Sequence, residues 1–383
     1  MKYSGKDVEI TSDFECGNGE DIKYIGFNHF SMRARKDWGS GDFYNTMSWY
    51  FCIRIKNKLG VNRLLRLDVH GIDKLDGDEA YVWMKKRDKW SRVPNEVSSA
   101  SCGEWNLTLS IDLKPYQTVY VSNSFWYPPS KMTKWLNRIS NEKADLCKLS
   151  SIGKTAQGRP INVLTIFNRS NVYIGRIVVA ASPQPSEFGA WACHGLIEYL
   201  LSDDSFARYV RRKWIIDVIP QTNPDGEALG TVMVNSLGEN PLFEFDRIAS
   251  GDTGSVEATS LWNWIAEHRP NIYIEYHSYY QPNRPSFRPY LFAPELHDSE
   301  IRRKIQKSVN KNLMSISSGP PMIVDVGDKR FSRSLPYQLI QKFGVISYFY
   351  KLHTRESLES NLKQAVKVFK TIVHTYENVS RAI

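Results

Sequence analysis

At 383 residues, the chain is long enough for two or more domains, each with its own core. Its 42% hydrophobic and 24% charged residues are typical of a soluble globular protein, and 13% aromatic residues argue against disorder. The net charge is +9, and no apolar run approaches the roughly 20 residues that span a bilayer, so the composition excludes a membrane-spanning protein.

The first third of the chain predicts antiparallel β structure. Apolar residues alternate with more polar ones over residues 51–56, 65–69 and 107–113. A period of two places one face of each strand in a core and the other in solvent, which is typical of a sandwich. We therefore predict an N-terminal β-sandwich domain over residues 1–124.

The pattern changes after Trp126, where apolar strands begin to alternate with helices. Ser130 is predicted to cap a helix that ends near Ile139. The later predicted elements are strands over 177–181, 214–219, 272–276 and 345–350, a helix over 190–201 and an amphipathic helix over 358–376. This alternation predicts an α/β domain over residues 125–383.

Three segments of the second domain resemble, in order, motifs of the M14 metallocarboxypeptidase family. They read IGKTAQGRPI over 152–161, NPDG over 223–226 and IEYHSYYQ over 274–281. The stretches WYFCIRIKN (49–57) and KWSRV (89–93) are similar to the extra N-terminal domain of the family's cytosolic carboxypeptidases. The resemblance covers nearly the whole chain and implies a small N-terminal β-sandwich followed by an M14-like α/β domain with a mixed sheet.

The resemblance also implies a metal site. In the family, an HxxE motif and a distant His hold zinc and leave one position for water. Here the motif reads QPSE, so Glu187 keeps the carboxylate but Gln184 replaces the first His, and His277 matches the distant His. Because a neutral amide is a poor zinc ligand beside an imidazole, we expect a weak or empty site at Gln184, Glu187 and His277.

The other family positions hold unexpected residues. Lys351 stands at the position of the general-base Glu, and Met233 stands where an Arg polarises the scissile carbonyl. The Asn-Arg pair that binds the substrate's terminal carboxylate corresponds to Leu242 and Phe243, which we expect to fill that pocket with apolar side chains. Tyr279, in the segment that resembles HSY, is the third residue that the resemblance assigns to substrate binding.

Three of these residues have a structural interpretation beside the functional one. His277 is either a core or cleft histidine or a metal ligand, and Glu187 either complements a helix N-terminus or is a metal ligand. Lys351 either pairs with Glu187 where the metal's charge would be, or acts as a desolvated nucleophile or base. Because an isolated buried ammonium is costly, we predict a Lys351–Glu187 salt bridge in place of zinc.

These substitutions leave three hypotheses for the function. The first is a pseudopeptidase that binds a peptide, a small molecule or a protein partner in the old active-site cleft. The second is a repurposed enzyme that uses Lys351, and the third is an active zinc metallocarboxypeptidase with substituted ligands. We expect no cofactor, and zinc is the alternative to that expectation.

Charge and cysteine usage bear on partners and location. Short basic clusters, such as RRK over 211–213, favour either a solvated face or a surface that attracts an acidic partner, and no nucleic-acid motif accompanies them. The five scattered cysteines form no Cys-x-x-Cys pair, which predicts reduced and mostly buried thiols. The first sixteen residues lack the apolar core of a secretory signal, so we expect a cytoplasmic protein that does not bind membranes.

Overall fold

The structure is a computed structural model that describes residues 1–39, 46–72, 80–87, 89–99, 105–168, 172–281 and 284–382. Most of the first third is extended. Its strands are β1 (Lys2–Ser4), β2 (Val8–Thr11), β3 (Glu20–Gly26), β4 (His29–Arg33), β5 (Cys52–Asn57), β6 (Arg63–Ile72), β7 (Trp83–Lys86), β8 (Lys89–Arg92), β9 (Asn95–Ser99), β10 (Trp105–Leu113) and β11 (Thr118–Ser122).

The remainder alternates helices and strands. The helices are α1 (Pro129–Glu142), α2 (Gly189–Leu200), α3 (Ser205–Lys213), α4 (Pro224–Leu229), α5 (Phe245–Ala249), α6 (Val256–His268), α7 (Glu300–Ser315), α8 (Leu335–Phe343) and α9 (Leu358–Arg381). The strands are β12 (Cys147–Lys154), β13 (Pro160–Ile166), β14 (Gly175–Ala181), β15 (Trp214–Ile219), β16 (Ile272–Tyr279), β17 (Arg288–Phe292), β18 (Met322–Val324) and β19 (Ile346–His353). Among the described residues, no helix is both long and apolar enough to cross a membrane.

Two sheets form the N-terminal part. Their strand orders are β1-β2-β5-β11-β7-β8 and β3-β4-β6-β10-β9. Both sheets contribute alternate apolar side chains to one core, in which Ile53 and Val119 of the first sheet lie with Leu67 and Leu109 of the second. The predicted β-rich N-terminal region is therefore confirmed.

A third, mixed sheet organises the rest of the chain, in the order β12-β13-β15-β14-β16-β19-β17-β18. The four central strands from β15 to β19 run parallel, and helices α2 and α9 cover one face. Helices α6 and α8 contribute to a second apolar cluster, which contains Val178 and Tyr273 of the central strands. This arrangement confirms the predicted α/β fold with a mixed sheet.

Several element bounds differ from the predictions. Strands β16 and β19 extend three residues beyond their predicted ends, because His277, Ser278 and Lys351 are buried although they are polar. Strands β12 and β13 were not predicted, and β12 lacks an apolar run because most of its side chains are exposed or half-buried at the sheet edge.

The two parts of the chain meet at an aromatic interface. Lys85 on β7 is buried, and its Nζ lies 5.3, 5.0 and 5.7 Å from the ring centroids of Trp90, Trp126 and Trp191. Trp83 Nε1 donates to the carbonyl oxygen of Thr354 across the same interface (2.8 Å). The last N-terminal strand ends at residue 122 and α1 begins at 129, so the predicted boundary at 124/125 falls between them.

Four of the five cysteines, Cys16, Cys52, Cys147 and Cys193, are reduced and buried, as predicted. Cys102 lies outside the described residues. Burial raises the pKa of Cys147 to about 11, so this thiol stays protonated at neutral pH.

A substitution at Gly230 tests how closely the backbones of the two parts of the chain approach each other. Gly230 ends α4 with φ of 68°, and a Cβ there would lie 2.5 Å from the backbone oxygen of Gly17. Gly230→Ala therefore combines a left-handed conformation, which costs about 1–2 kcal/mol, with a backbone clash. We expect it to lower the free energy of unfolding in urea by at least about 2 kcal/mol.

Gly158→Ala is the matched control. Gly158 has a φ of 80°, but no described atom lies within 4 Å of the position that an alanine Cβ would take, so only the conformational cost of about 1–2 kcal/mol applies. Equal losses of stability in the two variants would contradict a close contact at Gly230.

Candidate functional site

The candidate site lies at the carboxyl ends of three parallel strands. Glu187 follows β14, His277 lies on β16 and Lys351 lies on β19. His277 and Lys351 are partners in the parallel register of β16 and β19, so their side chains emerge side by side. Gly189 begins α2 against β16, where a Cβ would lie 2.2 Å from the carbonyl oxygen of Tyr276, and this close approach brings Glu187 over the strand ends.

An ammonium and a carboxylate form the centre of the site. Lys351 Nζ donates to Glu187 Oε1 and lies 3.3 Å from His277 Nδ1. His277 Nδ1 also lies 2.9 Å from Glu187 Oε2, which accepts a hydrogen bond from the backbone amide of Ser278 (2.8 Å). The structure therefore contains the predicted Lys351–Glu187 contact and brings His277 into it. Lys351 is 8% exposed and His277 2% exposed, so bulk water screens these charges little.

The charge state of Glu187 depends on its neighbours. Burial alone would raise its pKa, but the Lys351 ammonium and then His277 outweigh burial and hold the pKa of Glu187 at about 2. Glu187 is therefore ionised over the whole physiological range. Its role goes beyond the predicted complement to a helix N-terminus, because it accepts hydrogen bonds from Lys351 and from the backbone of β16.

The sequence analysis missed Glu275, which continues the cluster inward. His277 Nε2 lies 2.6 Å from Glu275 Oε1, and the Tyr273 hydroxyl donates to Glu275 Oε2 (2.6 Å). A carboxylate within the apolar run of β16 is the signal that could have identified it, because a Glu is almost never fully buried without a partner. His277 therefore has a carboxylate at each ring nitrogen.

Gln184 and Met233 lie beside the charged cluster. Gln184 Oε1 is 3.2 Å from His277 Nδ1, and Gln184 Nε2 donates to Met233 Sδ (2.7 Å). Both residues are buried. Met233 thus lies where the resemblance places it, next to the cluster, but a thioether brings no positive charge to that position.

The cluster opens into a cavity of about 490 Å³, which Leu242 and Phe243 also line. Both are more than nine-tenths buried, and the Phe243 ring packs edge-on against Phe331, with 6.4 Å between the ring centroids. The Tyr279 ring lies 4.9 Å from Lys351 Nζ, and its hydroxyl bonds to that of Tyr290. The three residues assigned to substrate binding therefore share one cavity with the charged cluster.

Three arginines that the sequence analysis did not select also line this cavity. Arg284 lies over the Tyr279 ring at 5.9 Å, Arg288 over Tyr290 at 5.9 Å and Arg330 over Phe331 at 5.3 Å. They come from separate loops and a strand end, so no sequence pattern joins them. Glu187 is the one carboxylate among the described lining residues, so the described lining carries more basic than acidic side chains.

The donor set around His277 does not fit zinc. Zinc sites use imidazole, thiolate or carboxylate ligands, and here the imidazole and carboxylate that face the cavity share their lone pairs with an ammonium. The amide of Gln184 is a weak ligand. Within the described ranges, no group of three or more His, Cys, Asp or Glu side chains is arranged to hold a metal ion.

Lys351→Met tests whether the ion pair stabilises the fold. The native pKa of Glu187 is about 2 against an ordinary 4.5, so its contribution of about 3 kcal/mol is present above pH 4.5 and is lost as the pH falls towards 2. The variant leaves a buried carboxylate without its cation, and we expect it to lose about 3–5 kcal/mol at pH 7. The difference from the wild type should shrink between pH 5 and pH 3 in urea unfolding.

Lys363→Met is the matched control, because Lys363 forms an exposed pair with Glu359 on α9. It should change stability little at any pH. A Lys351→Met protein as stable as this control at pH 7 would show that the buried pair does not hold the strand ends together.

Known proteins resemble this chain in sequence and in fold. The family model described as zinc carboxypeptidase matches residues 132–236. Cytosolic carboxypeptidase 2 of Danio rerio is 25% identical over 303 residues, which cover 72% of this chain and 42% of that protein. Cytosolic carboxypeptidase 6 of Caenorhabditis elegans is 25% identical over 213 residues, which cover 51% of this chain and 46% of that protein. The chain thus spans less than half the length of these relatives.

Solved structures agree on the fold. A metallo-carboxypeptidase from Burkholderia cenocepacia superposes with a TM-score of 0.77 at 16% identity, covering 97% of this chain and 99% of its own. A metallo-carboxypeptidase from Pseudomonas aeruginosa gives a TM-score of 0.74 at 15% identity, covering 97% and 99%. Both likenesses include the N-terminal sandwich as well as the mixed sheet. Residues 132–236 therefore match the zinc carboxypeptidase family model, and the chain is similar to cytosolic carboxypeptidases and has the fold of these metallo-carboxypeptidases.

Proposed function

We propose that this chain is a pseudopeptidase that binds an anionic ligand in the old active-site cleft without hydrolysing it. One observation carries the proposal. Lys351 bonds to Glu187 and lies 3.3 Å from His277, and these are two of the three residues that the family resemblance assigns to the metal, with Gln184 the third. A fixed ammonium at that position supplies the positive charge of an ion but cannot activate water as zinc does.

The other catalytic tasks also lack suitable groups. A general base must accept a proton, whereas Lys351 Nζ donates a hydrogen bond to Glu187. Met233 cannot polarise a carbonyl, because it carries no charge or donor. General acid–base groups and oxyanion donors each contribute about two or more powers of ten to rates of this kind, so their joint absence supports a non-hydrolytic role.

The same contacts argue against the two alternative functions. A nucleophilic lysine needs an available lone pair, and Lys351 Nζ is paired with the Glu187 carboxylate. An active zinc peptidase with substituted ligands would need the carboxylate and imidazole that Lys351 now contacts. Neither alternative gains support from the described residues.

The ligand proposal rests on the chemistry of the cavity. Its walls are aromatic and apolar, and Arg284, Arg288 and Arg330 supply guanidinium groups. Each of these arginines lies over an aromatic ring, which limits its freedom and directs its donors. A peptide or small molecule with clustered carboxylates fits this arrangement.

The first test measures zinc and activity together. We expect the purified chain to hold well under one zinc per molecule and to release no C-terminal residues from neutral or acidic peptides. The double variant Gln184→His/Lys351→Glu restores two ligand types and removes the ammonium, so its melting temperature should rise when zinc is added. Lys351→Glu alone should melt below the wild type, because it places two carboxylates together.

Two results would contradict this proposal. One is stoichiometric zinc in the wild-type chain, and the other is peptide hydrolysis that His277→Ala abolishes. If adding zinc does not change the melting temperature of the double variant, Lys351 is not what occupies the metal position.

The second test measures the ligand. Fluorescent peptides that end in four glutamates or four lysines should differ at least about tenfold in Kd, with the acidic peptide bound more tightly, because of the cavity's charge. Arg284→Ala/Arg330→Ala should weaken the acidic peptide about tenfold or more. Arg138→Ala removes an exposed arginine of α1 and should leave its Kd unchanged. Equal binding of both peptides would contradict an anionic ligand.

A further inference from the structure

A carboxylate of the N-terminal domain accepts hydrogen bonds from the backbone amides of residues 232–234. Asp37 is 5% exposed, and it accepts hydrogen bonds from three successive amides: those of Val232 to Oδ1 (2.8 Å) and of Met233 and Val234 to Oδ2 (2.7 and 3.2 Å). Both carboxylate oxygens are therefore used on one loop. Such a contact fixes the path of the loop more tightly than a single hydrogen bond would.

Neighbouring contacts join the same two segments. Asn18 Nδ2 donates to the carbonyl oxygen of Gly230 (2.8 Å), and the Arg35 guanidinium donates to that of Leu229. The amide of Cys16 donates to the carbonyl oxygen of Ala228 (2.9 Å). These side-chain and backbone bonds attach residues 16–37 to residues 228–234, and we call this set of bonds the clasp.

The loop in the clasp reaches the charged cluster through one side chain. Met233 is the middle residue of the three that Asp37 holds, and its Sδ accepts from Gln184 Nε2 (2.7 Å). Gln184 Oε1 in turn lies 3.2 Å from His277 Nδ1. A continuous series of contacts therefore leads from Asp37 to the imidazole beside Lys351.

Burial removes the Asp37 carboxylate from water, which costs free energy that the hydrogen bonds of the clasp must offset. Burial raises the pKa of Asp37 to about 6, although the three amides and the nearby Arg35 act against it. A surface loop would not require a buried carboxylate from another domain. The position of the Asp37 carboxylate suits a loop that has to be held in one conformation.

We infer that Asp37 is a positioning residue through which the N-terminal domain holds the Met233 loop and, through the Met233–Gln184 contact, one side chain of the cavity lining. The N-terminal domain is in this view a structural part of the cleft. The inference concerns the geometry of the loop, so it does not require the proposed function to be correct.

The test follows the Met233 methyl group in the full chain. Spectra of ¹³C-methyl-methionine protein resolve eight methionines, and Met233→Leu identifies the signal of interest. In Asp37→Ala the Met233 signal should shift or broaden, and the amides of residues 232–234 should exchange with solvent at least about tenfold faster. Asp37→Asn keeps one acceptor oxygen and should show smaller changes in both measurements.

Asp68→Ala is the matched control. Asp68 is a carboxylate of the same domain that bonds within it, to His29, Arg66 and Thr108. Its loss should lower stability but leave the Met233 signal and the loop amides unchanged. If Asp68→Ala perturbs them as Asp37→Ala does, the effect is general loosening and the inference is wrong.

An unaltered Met233 signal in folded Asp37→Ala would also overturn the positioning role of Asp37. If Asp37→Ala does not fold, Asp37→Asn decides, because it preserves the volume of the side chain. An unshifted Met233 methyl and unchanged amide exchange in Asp37→Asn would then refute a positioning role.

Discussion

Burying an ammonium group costs several kcal/mol unless a carboxylate meets it with good geometry, and this constraint organises the centre of the protein. Lys351 can reach Glu187 only if β16 and β19 keep their parallel register and α2 begins close against β16. A slip of one residue in β19 would turn Lys351 to the opposite face of the sheet and separate it from Glu187. The packing of the strand ends, the helix and the cleft therefore depends on one ion pair.

The site also separates two properties that a peptidase combines. The groups that would perform hydrolysis are replaced by residues with no comparable acid–base or electrostatic capacity, while the cavity itself stays open at about 490 Å³. Its aromatic walls and arginines are suited to hold a ligand, which requires shape and charge but no activated water. Under the proposed function, the cleft would keep recognition without catalysis, and the fold would serve as a receptor with an enzyme's architecture.

The sequence predicted most of what depends on periodicity and motif order. Period-two alternation and long apolar strands predicted the sandwich and the α/β domain, and the family resemblance assigned Glu187, His277 and Lys351 to one site. The sequence could not reveal Asp37 or the arginines of the cavity, because their partners lie far away along the chain and follow no spacing rule. Glu275 was missed for a different reason, since its place within the apolar run of β16 marks a buried carboxylate but does not identify the partner.

The lysine enclosed by Trp90, Trp126 and Trp191 has a consequence for how the molecule comes apart. The Lys85 cation and the Trp90 ring belong to the sandwich, on β7 and β8. The Trp126 ring comes from the connection between the domains and the Trp191 ring from α2. Separating the domains would expose that aromatic surface and return the Lys85 ammonium to water. Both domains would therefore lose the same cation–π contacts. The aromatic contact thereby couples the stability of the sandwich to that of the mixed sheet.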